Sequence, residues 1–300
     1  MTTPALSIVI PVHDEAATLD ELLRRCVAAG EAIGRSFEVV VVDDASADAT
    51  PAVLGGWGGE PRVVVRRLPR NVGQFGATRE GLAMSRGETV VLLDGDLQDP
   101  PEVVPDLVRR LDASPAHVGV AFATKTRRAD PAWFRAAAAT YRLLVRVGAR
   151  PPPAGAGSFC AMRRQVADEV AEAPARHANV AAVIAASGAE WTCVPYQKAA
   201  RRDGSSRVGV WGLVAEGLGS LVVVGGLRRI FAILAMLAAG VALLPTPAGV
   251  RGSALALMVV SATVGFLAGP WRRLRRPHAP PRGPNPLADA GEHAGRKGPR

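Results

Sequence analysis

Aromatic residues are scarce in this chain: two Tyr, five Trp and seven Phe among 300 residues. Proteins that hold single-stranded nucleic acid stack its bases on exposed rings, so the scarcity argues against a nucleic-acid partner despite a net charge of +9. Cysteine is scarcer still. Cys26, Cys160 and Cys193 are far apart, odd in number and never in a C-x-x-C pair. That excludes a disulfide framework and a thiolate zinc site, and it fits a reducing compartment. His117, His177, His278 and His293 show no metal-ligand spacing. The N-terminus, MTTPALSIVIPVHDE, has no basic segment ahead of a short apolar stretch, so it reads as a strand and not as a signal peptide.

Charge is also missing, but only locally. Between Ile230 and Trp271 the single charged side chain is Arg251, which accounts for much of the 48% hydrophobic content. The stretch divides at Pro245 and Pro247 into segments 230–248 and 253–270, nineteen and eighteen residues long, each near the ~20 needed to span a bilayer. Arg228 and Arg229 precede the first segment, and Arg272, Arg273, Arg275 and Arg276 follow the second. The positive-inside rule puts both clusters on the cytoplasmic side, with the Arg251 turn outside. The expected organisation is a catalytic domain over 1–210, a juxtamembrane segment over 211–229, a transmembrane hairpin over 230–271 and a basic tail over 272–300. Buried core helices are the competing reading of 230–270. Leu213–Leu227 suits an interfacial helix or a third membrane segment. The tail carries eight Lys/Arg against Asp289 and Glu292. It reads as a membrane-surface anchor or as a solvated, disordered segment that sets topology alone.

The first two hundred residues carry mixed charge and alternate between two patterns. Leu6–Val12, Phe37–Val42, Arg62–Leu68 and Thr89–Leu93 are short β-branched runs. Leu19–Ala29, Gln74–Ser85 and Pro101–Leu111 are helical in pattern. Thr18 and Glu21 have capping-box spacing, Gly87 suits a helix stop, and Arg109 and Arg110 suit a last turn. Gly55-Gly56-Trp57-Gly58-Gly59 reads as a loop. Val118–Ala123 and Glu190–Pro195 read as later strands, and Trp133–Val147, Gln165–Glu172 and Val180–Ser187 as helices. Strands alternating with helices of this length make a largely parallel α/β sheet, which binds ligands beyond the carboxyl ends of its strands. Pro11-Val12-His13-Asp14-Glu15, Asp43-Asp44 and Asp94-Gly95-Asp96 all fall at that edge.

Acids gathered there point to a cation. Magnesium takes one or two protein carboxylates and completes its shell with water and substrate phosphate, which suits Asp94-x-Asp96 and a nucleoside-diphosphate substrate. Of the four acids in DGDLQDPPE, Asp99 and Glu102 flank Pro100-Pro101 and are expected to start the next helix. Ser46, Ser158 and Ser220 lack the context of a nucleophile elbow.

The stretches SIVIPVHDE (7–15), VVDDASADAT (41–50), RNVGQFGATREGLAMSRGE (70–88) and LLDGDLQDPPEVVPDLV (92–108) together resemble the family 2 glycosyltransferases of GT-A fold. The DLQDPPE string resembles the polyprenyl-phosphate sugar-transferase subgroup in particular. Weaker matches continue through TKTRRADP (124–131), GSFCAMRR (157–164) and RRDGSSR (201–207). The resemblance implies a Rossmann-like, mostly parallel sheet flanked by helices, followed by the membrane hairpin. It implies a nucleotide-sugar donor, a polyprenyl-phosphate acceptor, Mg²⁺ or Mn²⁺, and self-association of the kind common among membrane members. Asp94 and Asp96 would hold the metal, with Gln98 beside them. Pro11, His13 and Glu15 would line the base pocket, His13 replacing the usual Tyr or Phe. Asp43, with Asp44 beside it, would bind the base or ribose. Lys125 and Arg128 would neutralise phosphates, and Arg201, Ser206 and Arg207 fall in a flexible substrate loop.

One departure bears on mechanism. The family's D-x-G-D-F-R-L-M stretch reads here Gly155-Ala156-Gly157-Ser158-Phe159-Cys160-Ala161-Met162, without either acid or the Arg. A hydroxyl acceptor needs a general base near neutral pH. A phosphate monoester has a second pKa of ~6 and is already an anionic nucleophile. The expected activity is therefore inverting sugar transfer onto a lipid phosphate at the cytoplasmic face of the inner membrane. A transferase with a glycan or glycolipid acceptor, and a weakly active relative that binds nucleotide-sugar or lipid, stand as the alternatives.

Overall fold

The computed structural model describes residues 3–126, 152–173 and 179–199. A seven-stranded sheet runs through them in the order β3-β2-β1-β4-β6-β5-β7. The strands are β1 (Leu6–Val12), β2 (Phe37–Asp43), β3 (Val63–Arg67), β4 (Thr89–Leu92), β5 (Val118–Lys125), β6 (Ala156–Arg163) and β7 (Glu190–Tyr196). β1 pairs in parallel with both β2 and β4, and β2 with β3. β6 alone is antiparallel to its neighbours, β4 and β5. Strands covered on both faces need apolar side chains in both directions, and LSIVIPV of β1 is buried at every position.

Six helices cover the sheet in this part of the chain: α1 (Ala16–Ile33), α2 (Thr50–Gly56), α3 (Gln74–Met84), α4 (Val104–Asp112), α5 (Arg164–Ala171) and α6 (Val180–Ser187). Leu19, Leu22 and Leu23 of α1 and Leu107 and Leu111 of α4 pack on one face with Ile8, Ile10 and Val91. Phe75 and Leu82 of α3, Val166 of α5 and Val183 of α6 pack on the other with Val9, Val40 and Leu92. These two cores make a three-layer α/β sandwich, the arrangement expected of alternating strands and helices.

Several local expectations change. The capping box at Thr18 does not form: α1 starts three residues earlier, at Ala16, and has no side-chain cap of its own. Its first N–H groups go to another loop, Glu15 donating to Thr50 Oγ1 at 2.9 Å and Ala16 to Asp48 Oδ2 at 3.1 Å. Distant partners thus satisfy the donors at the actual helix start, and the Thr18 N–H goes to the Glu15 carbonyl at 3.1 Å. Gly55 and Gly56 belong to the last turn of α2 and not to a loop. Gly87 does not close α3, whose C-terminal cap is Ser85 in an extended conformation. Gly87 is required by close approach instead: a Cβ there would lie 2.5 Å from the Ser7 backbone nitrogen. Cys26 and Cys160 are buried, Cys193 is exposed, and none is bridged.

Around Gly87 the end of the sheet opposite the ligand edge is fastened. Gly87 N–H donates to Ser7 Oγ at 2.8 Å, and Ser7 Oγ donates to Glu38 Oε1 at 2.7 Å. Arg86 adds its backbone N–H and its guanidinium to the same buried carboxylate. No helix among the described residues is long and apolar enough to cross a membrane; the hairpin expected over 230–271 lies outside them. Gly87→Ala is expected to destabilise the fold by about 2 kcal/mol through overpacking against backbone. Urea unfolding of the two proteins measures the difference.

Candidate active site

The parallel strands deliver their carboxyl ends to one edge, and the loops there are tied together side chain to backbone. Asp14 N–H donates to Ser46 Oγ at 3.0 Å, while Asp14 Oδ1 accepts from Ala47 N–H at 2.8 Å. Asp44 is buried and accepts from the backbone of Val72 and Gly73 at 2.7 and 2.9 Å, clamping the loop that enters α3. Asp14, Ala45 and Leu97, in the loops that follow β1, β2 and β4, have φ of 53°, 56° and 57°. A side chain at such angles costs about 1 kcal/mol, and the tied loops sustain it.

The expected base-side residues come together here. Pro11 is buried in β1, with its missing N–H on the β4 side. The β4 ladder has already ended there at the Val9–Leu92 pair, so no sheet bond is lost. His13 Nδ1 lies 2.9 Å from the Asp44 carbonyl and Nε2 lies 3.2 Å from Asn71 Nδ2. Nε2 also lies 3.5 Å from Asp14 Oδ2, so the ring is held between the loops that follow β1 and β2. Asp43 is wholly buried. Its Oδ1 accepts from Ser46 N–H at 2.9 Å, while Oδ2, 3.4 Å from Arg67 Nε, has no hydrogen-bond partner. That oxygen is an unmet acceptor at the ligand edge. The Asp44 carboxylate beside it accepts from the Val72 and Gly73 backbone. Glu15 is half-buried at the start of α1.

Asp94 lies two residues beyond the Leu92–Cys160 pair, so the antiparallel register sets it opposite Ser158 of β6. Ser158 Oγ is 2.9 Å from both Asp94 oxygens and can donate to either. Gln74 Nε2, from the start of α3, donates to Asp94 Oδ1 at 2.8 Å. Asp96 Oδ1 accepts from Gln98 N–H at 3.1 Å, which closes a tight turn and places Gln98 beside the pair. Leu97 in the left-handed region allows that turn.

Asp99 departs from its expected part as a helix starter. The 3₁₀ turn Pro101–Val103 has no side-chain cap, and Asp99 is buried, accepting from the Tyr196 hydroxyl at the end of β7. Phe159 meets the Tyr196 ring edge-on with centroids 5.5 Å apart. Glu102 does sit in the first turn, where Arg25 holds it at 2.7 Å. Three carboxylates are thus crowded at the end of β4. Burial, then the negative charges of Asp99 and Asp96, push the Asp94 carboxyl up to about 6 against the hydrogen bond from Ser158. Burial and Asp99 likewise raise the Tyr196 hydroxyl.

Crowded acids of this kind fit a divalent cation. All their donors are hard oxygens, and a cation would lower the cost of ionising Asp94. No group of three or more His, Cys, Asp or Glu among the described residues makes a protein-only metal site. Two carboxylates leave room for substrate phosphate, as magnesium and manganese sites of this type require. Lys125 is at the end of β5, half-buried. Arg128, Arg201, Ser206 and Arg207 lie outside the described residues. Sequence reasoning passed over Gln74, Ser158, Asp99, Tyr196 and Lys198. Ser158 stands where the family pattern has an acid, which was the one signal available for it.

Because the acid form of Asp94 is favoured in the fold, its contribution to stability is present below about pH 4 and lost as the pH rises through about 6. Without divalent metal, Asp94→Asn is therefore expected to be more stable than the wild type at pH 7.5. After allowance for partial exposure the gain is about 1–2 kcal/mol. Denaturant titrations in EDTA at pH 7.5 and pH 4 check it: the gap should close at the lower pH.

Comparison with known proteins agrees with this arrangement. Residues 7–171 match the family model described as Glycosyl transferase family 2. The undecaprenyl-phosphate 4-deoxy-4-formamido-L-arabinose transferase of Edwardsiella ictaluri is 33% identical over 219 residues, 71% of this chain and 66% of that protein. The transferase of the same name from Pseudomonas paraeruginosa is 44% identical over 132 residues, 43% of this chain and 38% of that protein. The chain thus spans from 38% to 66% of the length of these curated relatives. Among solved structures, glucosyl-3-phosphoglycerate synthase from Mycobacterium tuberculosis, in complex with Mn²⁺, UDP and phosphoglyceric acid, has the same fold. Its TM-score is 0.55 at 19% identity, over 75% of this chain and 78% of that one. With the motifs at the strand ends and a family match across more than half its length, the chain belongs to glycosyl transferase family 2.

Proposed function

We propose that this protein transfers a sugar from a UDP- or GDP-sugar to a polyprenyl phosphate, with inversion and with the help of Mg²⁺ or Mn²⁺. The observation that carries the reading is the pairing of Asp94 with Ser158. The β6 position facing the metal-side carboxylate bears a hydroxyl that is already committed as a donor. It supplies no base. A sugar hydroxyl would need one, whereas a phosphate monoester arrives ionised. The curated relatives are named as undecaprenyl-phosphate sugar transferases, which favours a lipid phosphate over a soluble one.

In this reading Asp43 accepts from the base or ribose through its unmet Oδ2, and the His13 ring, held on the Asp44 carbonyl, lines the same pocket. Asp94 and Asp96 would hold a divalent cation, which would neutralise charge on the departing nucleoside diphosphate. Gln74 and Ser158 orient Asp94, and the Gln98 turn orients Asp96. Lys125, Arg128, Arg201, Ser206 and Arg207 bind substrate phosphates. The acceptor phosphate oxygen attacks the anomeric carbon as the carbon–diphosphate bond breaks, so no proton need move. Positioning and charge neutralisation supply the rate.

The same reading includes the hairpin over 230–271 as a multi-pass anchor in the inner membrane. The domain over 1–210 and the tail over 272–300 are then cytoplasmic, and the segment over 211–229 lies between. Its support is the near absence of charge from Ile230 to Trp271 and the arginines that flank it.

Asp94→Asn and Asp96→Asn are each expected to lower metal-dependent transfer to undecaprenyl phosphate at least a thousandfold. Ser158→Ala should cost about tenfold, since Gln74 still holds Asp94. Radiolabelled lipid product separated by thin-layer chromatography measures all three; full activity in either Asn variant would sink the assignment.

A further inference from the structure

Lys198 lies two residues beyond the end of β7, and neither the family resemblance nor the site residues drawn from it give it a part. Its ammonium is 3.9 Å from Asp99 Oδ1, close enough for charge attraction and too far for a hydrogen bond. Asp99 Oδ1 already accepts from the Tyr196 hydroxyl. None of the three N–H donors of Lys198 has a hydrogen-bond acceptor among the described residues, although the side chain is only 28% exposed. An ammonium is held still by what it donates to, and among the described residues Lys198 has only the loose ion pair with Asp99.

The backbone around this lysine is fixed. Ala199 N–H donates to the Gln98 carbonyl at 2.9 Å, and Thr126 donates to the Tyr196 carbonyl through both its N–H and its hydroxyl. Both sides of Lys198 are therefore pinned, one to the turn that carries Asp96 and the other to the end of β5. Asp99, held by Tyr196, keeps the ammonium turned toward the Asp94 turn. Its positive charge opposes part of the repulsion that Asp94 feels.

Sheet order assigns the ligand. The base-side groups, His13 and Asp43, follow β1 and β2. β6, β5 and β7 lie on the other side of β4. A phosphate within reach of Lys198 is thus on the far side of Asp94 from the nucleotide. Lys125, at the end of β5, is on that side too and pairs in register with Tyr196.

We infer that Lys198 binds the phosphate monoester of the acceptor, exchanging its loose attraction to Asp99 for direct hydrogen bonds to phosphate oxygens. The inference rests on the transferase reading for the acceptor's identity, but the binding it describes can be measured without turnover. The 300-residue chain in detergent would be titrated with geranyl phosphate, inorganic phosphate and Mg²⁺–UDP as wild type, Lys198→Ala and Lys198→Arg. Wild type is expected to bind geranyl phosphate, and Lys198→Ala to bind it about tenfold or more weakly. Lys198→Arg should recover most of the loss, and Mg²⁺–UDP affinity should be unchanged in all three. Geranyl phosphate binding more tightly than inorganic phosphate would identify a lipid phosphate and not free phosphate as the source. Unchanged geranyl phosphate affinity in Lys198→Ala overturns the inference, as does an equal loss of Mg²⁺–UDP affinity or no binding by the wild type. Sugar turnover by the wild type, assayed separately, tests the transferase reading alone, and unfolding midpoints confirm that the variants fold.

Discussion

Asp94, Asp96 and Asp99 crowd the end of one buried strand, and their mutual repulsion sets the demands on everything around them. A sheet covered on both faces brings them there, since β4 runs parallel to β1 and ends toward the same edge. Once gathered, the carboxylates need partners. Asp94 takes hydrogen bonds from Gln74 and Ser158, Asp96 from the Gln98 backbone, and Asp99 from Tyr196. These partners come from α3, β6, the turn itself and β7, so the cluster draws on elements from both halves of the sheet. Even so, Asp94 remains hard to ionise. Residual strain of this kind suits a site finished by its substrate and a cation, at some cost in stability without them.

The ligand edge is built differently on its two sides. Around His13, Asp43 and Asp44 the loops are cross-tied by side-chain-to-backbone bonds, and Asp14 and Ala45 hold left-handed angles. Such over-determination suits a pocket preformed for a planar base, because the ordering cost is met on folding and not on binding. On the side of β6, β5 and β7 the described basic groups at this edge are Lys125, at the end of β5, and Lys198, beyond β7.

Much of this was readable in the residues, because the readable parts are local. β-branched runs gave β1 to β4 within a residue or two, and acids at strand ends gave Asp43, Asp94 and Asp96. What escaped depends on partners far away in the chain. Ser158 meets Asp94 only through the antiparallel pairing of β4 with β6, a strand whose sequence reads only as a family motif. Asp99 looked like a helix starter because Pro100-Pro101 follows it, and its true partner, Tyr196, is ninety-seven residues on. The capping box at Thr18 failed for the same reason: bonds to Asp48 and Thr50 let the helix start at Ala16, which puts Thr18 inside its first turn. Local rules held wherever no distant group competed.

The central claim, metal-assisted sugar transfer onto a lipid phosphate, is tested most directly by one assay. The purified 300-residue chain is given undecaprenyl phosphate and a panel of radiolabelled UDP- and GDP-sugars, with Mg²⁺ or Mn²⁺ or with EDTA. The account predicts label in the lipid extract from at least one donor, dependent on both the metal and the lipid phosphate. Label that appears equally in EDTA, or that passes only to an acceptor lacking a phosphate, would contradict it.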